Sequence, residues 1–116
     1  MKPEVRRGVA YIAGRLVRDR RGSALYDYSS SGYSHFSGTV GKSVSVYDHS
    51  ARAHIAGSAS SLFHYGVRAH ITLHVKGNAF TGYDYDSRSA FSGQVRQSNI
   101  SIYDYGEAKH FQFLLA

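Results

Sequence analysis

The sequence predicts an all-β fold: an antiparallel hairpin meander of about eleven short strands, closed as a barrel or folded as a sandwich. Three observations predict it. A unit of about 20 residues repeats through nearly the whole chain. Stretches such as Ala69–Lys76 (AHITLHVK) alternate apolar and polar residues with period two, as a half-buried strand does. The composition holds 12 Gly, 10 Tyr and 6 Phe against one Pro, one Met and no Trp, which favours strands over helices, and no window shows a helical period. A stacked β-solenoid and a trefoil are the alternatives, and the uneven spacing of the repeats argues against stacked rungs.

The amino-terminal segment is the basic end of the chain. Lys2, Arg6, Arg7, Arg15, Arg18, Arg20 and Arg21 face only Glu4 and Asp19, so this segment holds most of the formal net charge of +6. Residues 1–8 read as a flexible basic arm, and residues 9–17 as the first strand, with Ile12 turned inward and an apolar-x-Gly step from Ile12 to Gly14. The same step recurs at Phe36 to Gly38, Ile55 to Gly57, Val75 to Gly77 and Phe91 to Gly93. It alternates with a second mark, a Tyr-Asp pair or a close relative of it, at Tyr26-Asp27, Tyr47-Asp48, Phe63-His64, Tyr83-Asp84 and Tyr103-Asp104. The first unit is longer, with Ser29-Ser30-Ser31-Gly32 inserted ahead of His35-Phe36.

Placing two-residue turns at Ser50-Ala51, Gly66-Val67, Gly77-Asn78, Asp86-Ser87 and Gly106-Glu107 sets the register. Val46 then pairs with Ile55, Leu62 with Ile71, Gly82 with Phe91 and Ile102 with Phe111 on one face. Tyr47 meets His54, Phe63 meets His70, Tyr83 meets Ala90 and Tyr103 meets His110 on the other. A slip of one residue would invert a whole strand, yet every turn keeps the same parity. The apolar set makes one core, and Gly38, Gly57, Gly82 and Gly93 leave room on its face for large residues opposite. The last strand ends in Phe113-Leu114-Leu115, apolar for a free edge, and is expected to pair with residues 9–17 of the same or a neighbouring chain. The whole chain, 1–116, reads as a single all-β repeat domain.

Function is less legible than architecture. No cysteine means no disulfide framework, thiolate metal site or cysteine nucleophile. No stretch approaches the roughly 18 apolar residues of a spanning helix, and the amino terminus lacks a signal-peptide core, so the expectation is no membrane span and a cytoplasmic setting. No G-x-S-x-G or G-x-x-x-x-G-K motif occurs, and no catalytic residue, cofactor or metal ligand is assigned. His70 and His74 have a zinc-helix spacing, but on a strand four residues span roughly 13 Å, too far for one ion. Each repeated Asp precedes a turn, where its carboxylate can accept backbone amides.

What is left for function is surface. Tyr47, His54, Phe63, His70, Tyr83, Tyr103 and His110 form an aromatic and histidine ladder on the outer face, and Arg15, Arg18, Arg20 and Arg21 form a basic hairpin. Aromatic cross-strand pairs stabilise sheets, yet Tyr also gives a flat amphipathic recognition surface, and Arg52, Arg68 and Arg88 lie beside the tyrosines. The expectation is a non-enzymatic binding or self-assembly module, with a protein partner or a second copy of itself. A polyanion or nucleic-acid binder acting through the basic end, and a small ligand-binding or hydrolytic barrel, are the alternatives.

Overall fold

A computed structural model of the chain describes residues 1–18 and 22–116. It comprises a helix, α1 (Pro3–Arg18), followed by β1 (Ala24–Asp27), β2 (Gly32–Val40), β3 (Ser43–Asp48), β4 (Ala53–Ser58), β5 (Ser61–His64), β6 (Ala69–Lys76), β7 (Ala79–Asp84), β8 (Ser89–Arg96), β9 (Asn99–Asp104) and β10 (Lys109–Leu115). Each strand pairs antiparallel with its chain neighbour, and β1 pairs with β10, so the meander closes as a barrel. The expected phase holds: Val46↔Ile55, Leu62↔Ile71, Gly82↔Phe91 and Ile102↔Phe111 are cross-strand partners on the inner face. Tyr47↔His54, Phe63↔His70, Tyr83↔Ala90 and Tyr103↔His110 are partners on the outer one.

Two expectations fail, both at the amino terminus. Residues 1–8 are not a flexible arm and residues 9–17 are not a strand, because they form α1, with Val5, Arg6, Val9, Ala10, Tyr11, Ile12 and Ala13 buried. The last strand therefore pairs with β1 rather than with residues 9–17, and the described residues hold ten strands rather than eleven. The physical reason is width. A barrel of eight strands is just filled by its own side chains, and a wider one needs something in the lumen. Helix α1 supplies it, packing against β1, β2, β6, β8, β9 and β10 around the wall.

Local chemistry supports the helix. Pro3 and Glu4 suit the first turn, and Arg15 and Arg18 suit the last. Val5, Val9, Ile12 and Leu16 follow helical spacing. Their side chains join Leu25, Phe36, Val46, Ile55, Leu62, Ile71, Phe80, Phe91, Ile100, Ile102 and Phe113 in one core. The wall makes room by pairing glycine with a ring: Gly82 faces Phe91 and Gly93 faces Phe80. Outward strand positions include the exposed polar residues Ser37, Ser45, Thr81 and Gln94. Among the described residues no helix is long and apolar enough to cross a membrane.

Candidate functional site

Five turns at one end of the barrel repeat the same three-residue pattern of ring, inward group, ring. Side chains alternate across a strand. In Tyr26-Asp27-Tyr28, Tyr47-Asp48-His49, Phe63-His64-Tyr65, Tyr83-Asp84-Tyr85 and Tyr103-Asp104-Tyr105 the middle residue therefore enters the barrel, and its two neighbours lie on the outer wall. Asp27, Asp48, His64, Asp84 and Asp104 are all buried.

The inward groups hold the turns and the helix. Asp27 Oδ1 accepts the Ser29 amide at 2.9 Å, Asp48 Oδ1 the Ser50 amide at 2.9 Å, Asp84 Oδ1 the Asp86 amide at 3.0 Å and Asp104 Oδ1 the Gly106 amide at 2.9 Å. His64 takes the same role, its Nδ1 accepting the Gly66 amide at 3.1 Å. That bond leaves the imidazole proton on Nε2, which is buried without a partner among the described residues. Burial lowers the His64 pKa, an effect opposed by the Glu4 backbone and by the charges of Glu4, Asp48 and Asp84. Asp104 Oδ2 lies 2.9 Å from the Met1 amino group and 3.6 Å from Arg6 Nη1, and Arg7 Nη2 lies 3.5 Å from Asp48 Oδ2. Arg6 also contacts Glu107 at 2.7 Å and stacks 3.7 Å over the Phe111 ring. Two arginines expected at a flexible, solvent-exposed arm instead anchor α1 inside the barrel.

The outer rings form a crown. The first ring of each pair is half-buried and the second stands out. Tyr28, Tyr65, Tyr85 and Tyr105 are 52%, 57%, 56% and 58% exposed, and with Tyr33 they are the exposed large hydrophobic side chains among the described residues. Each pair packs edge to face, with centroids 4.8 Å apart for Phe63–Tyr65, Tyr83–Tyr85 and Tyr103–Tyr105. Histidine closes three of the clusters: His54 on Tyr47 at 4.7 Å, His70 on Phe63 at 4.9 Å and His110 on Tyr103 at 4.6 Å. In the first cluster Tyr33, not His35, faces Tyr26: the expected insertion at Ser29-Ser30-Ser31-Gly32 does not lengthen this turn, which joins Asp27 to Gly32 as the other turns join Asp48 to Ala53 and His64 to Ala69, so the pairing is Tyr26↔Tyr33.

Arginine completes the unit. Arg52, Arg68 and Arg88 occupy one equivalent turn position, each at φ 55, with Ser31 and Ala108 at φ 54 and 53 in the other two turns. Left-handed backbone costs a side-chain-bearing residue roughly 1–2 kcal/mol, and glycine or asparagine is its usual occupant. Among the described residues none of these three arginines has an acidic partner, while Lys2 covers Asp86 at 3.4 Å and Arg6 covers Glu107. A groove of about 510 Å³ runs between two clusters, lined by Ser61, Arg68, Ala69, His70, Thr72 and Tyr85.

The structure thus brings together Tyr47, His54, Phe63, His70, Tyr83, Tyr103 and His110 on one belt, as the sequence predicts. It separates them from the basic candidates. Arg15 and Arg18 lie in the last turn of α1, toward the opposite end, where Arg15 Nη1 donates to the Tyr11 hydroxyl at 2.8 Å. Arg20 and Arg21 lie outside the described residues. A wider cavity of about 800 Å³ opens at that end, with Tyr11, Arg15, Phe36 and Val40 among its walls. Sequence reasoning missed the second ring of each pair, although the i, i+2 spacing of Tyr-Asp-Tyr already puts both rings on one face.

Among the described residues no group of three or more His, Asp or Glu side chains is placed to hold a metal ion. Comparison of the chain with known protein families, curated protein sequences and solved structures finds no significant match.

Proposed function

We propose that the chain is a non-enzymatic binding module whose contact surface is the aromatic crown. The observation that carries this reading is the confinement of the exposed large apolar side chains to one belt, where Tyr85 shares a groove with Arg68 and His70. Scattered exposed apolar residues are ordinary, whereas a contiguous apolar belt rimmed by polar groups marks recognition. Tyrosine suits it, offering a rigid face and a hydroxyl at low entropic cost. A stability role accounts for the half-buried first rings, which already cover the wall, and leaves the outer rings over.

The rival readings have less support. Edge-to-edge assembly needs an unpaired strand, and β1 closes on β10. A ligand deep inside the barrel would meet α1, which leaves open space only at the end lined by Tyr11 and Arg15 among the described residues. Polyanion binding through the amino-terminal basic residues loses Arg6 and Arg7 to the interior.

The test is a heteronuclear NMR titration of the full chain with short single-stranded oligonucleotides, sulfated oligosaccharides and neutral oligosaccharides. Saturable shifts at amides of residues 49–54, 65–70 and 85–90 are expected with at least one probe. Shifts confined to the end lined by Tyr11 and Arg15, or none with any probe, would overturn the reading.

A further inference from the structure

We infer that the arc from Arg52 through Arg68 to Arg88 binds single-stranded nucleic acid, bases stacking on the outer tyrosines and phosphates meeting the arginines. The inference rests on the crown being a contact surface and names its occupant.

Charge gives the first argument. The three arginines of the arc are unpaired among the described residues, and the nearby acids Asp86 and Glu107 are already matched by Lys2 and Arg6. The free charges of this surface are therefore cationic, which calls for an anionic ligand. Backbone conformation gives the second. Three of five equivalent turns hold arginine at φ 55, where asparagine or glycine would sit with less strain. Strain that recurs with one side-chain type points to a use for that side chain.

Geometry gives the third. In the 510 Å³ groove Arg68, His70 and Tyr85 share one wall system, so a cation and an aromatic ring address the same ligand. By the repeat, Arg52 with His54 and Tyr65, and Arg88 with Tyr105, hold the equivalent register positions. Successive turns lie two strands apart, roughly 10 Å, so the arc spans about 20 Å. A ligand that matches it is flexible, repeats along its length and alternates a planar face with a negative charge. A single strand of about four or more nucleotides does this. A duplex hides its base faces inside the stack, and a sulfated glycan offers charge without an aromatic face. Stacking on a ring and pairing with a phosphate are indifferent to base identity, so binding tolerates sequence.

The experiment is fluorescence anisotropy with a labelled oligothymidylate about ten nucleotides long, a matched duplex and a heparin fragment. The expected result is saturable binding of the single strand, with log affinity falling against log salt at a slope of about −2 for three phosphates. The triple variant Arg52→Asn, Arg68→Asn, Arg88→Asn should lose at least about tenfold in affinity and most of the slope. The triple variant Tyr65→Ser, Tyr85→Ser, Tyr105→Ser should lose about tenfold or more and keep the slope. A heparin fragment bound as tightly as the oligonucleotide and indifferent to the tyrosine variant would overturn the inference, as would single-strand binding unchanged by both variants. No oligonucleotide binding, with crown amides still shifting on a sulfated or neutral oligosaccharide, would sink this inference and leave the contact surface standing. Silence of the crown toward every probe would sink both.

Discussion

Replacing Arg52, Arg68 and Arg88 by asparagine should make the protein more stable. All three sit at φ 55 in exposed turn positions without a partner that a substitution would orphan. Left-handed backbone costs roughly 1–2 kcal/mol for an ordinary side chain, and asparagine, which is enriched there, recovers about 0.5 kcal/mol of that at each site. The turns are about 10 Å apart, so the gains add to about 1.5 kcal/mol. For a domain of this size that is a rise of about 6 °C in melting temperature. Glycine relaxes the same strain but loosens the unfolded chain, so the glycine variants should fall close to the parent. Urea unfolding followed by circular dichroism measures the difference. A triple asparagine variant destabilised by more than about 1 kcal/mol would show that the arginines serve the fold. The strained backbone would then be no argument for binding. A gain in stability together with a loss of ligand is the trade-off expected of residues kept for function.

Five further variants test the interior. His64 is protonated more readily in the unfolded chain than in the folded one, because burial lowers its folded pKa. Stability should therefore be fully present above about pH 6.5 and fall on acidification, by up to about 1.4 kcal/mol per pH unit, and His64→Asn, which keeps the turn acceptor, should remove that component. Equal acid sensitivity of parent and variant in chemical unfolding would contradict the assignment. Asp104→Asn keeps the bond from the Gly106 amide but strips the charge facing Arg6 and the Met1 amino group, and should cost about 3 kcal/mol. Asp27→Asn, whose carboxylate among the described residues bonds Ser29 alone, should cost under about 1 kcal/mol by the same unfolding measurement. Gly82→Ala would drive a Cβ into the Thr72 carbonyl oxygen and the Phe91 ring, neither free to move, and should cost about 3 kcal/mol. At Gly8 the nearest obstacle is the end of the Ile55 side chain, which can turn aside while the helix gains propensity, so Gly8→Ala should stay within about 1 kcal/mol of the parent.

The wall was legible in the sequence because its physics is local. Two-residue periodicity and turn parity fix which side chains face inward, and Tyr47 opposite His54 or Gly82 opposite Phe91 follow from counting across a turn. Closure followed less directly, since pairing of Leu25 with Leu115 joins residues that no local rule connects. The helix was misread for a specific reason. Val5, Val9, Ile12 and Leu16 do carry helical spacing, but Gly8 and Gly14 lower helix propensity, and Ile12-Ala13-Gly14 imitates the apolar-x-Gly step of the repeat. Its arginines then looked like a solvated basic arm, because the carboxylates that neutralise them, Asp48, Asp104 and Glu107, lie far along the chain. The candidate site was half legible. The first rings of the ladder were identified, whereas the exposure of Tyr65, Tyr85 and Tyr105 depends on how neighbouring turns shield one another.

The most direct test of the contact surface is photo-crosslinking of the full chain to a single-stranded oligonucleotide carrying 5-iodouracil, with the linked residues identified by mass spectrometry. Crosslinks at Tyr65, Tyr85 and Tyr105 are expected, since the reaction favours rings stacked on the base. Crosslinks at Tyr11 or other residues of the opposite end, with the crown unmodified, would contradict the account.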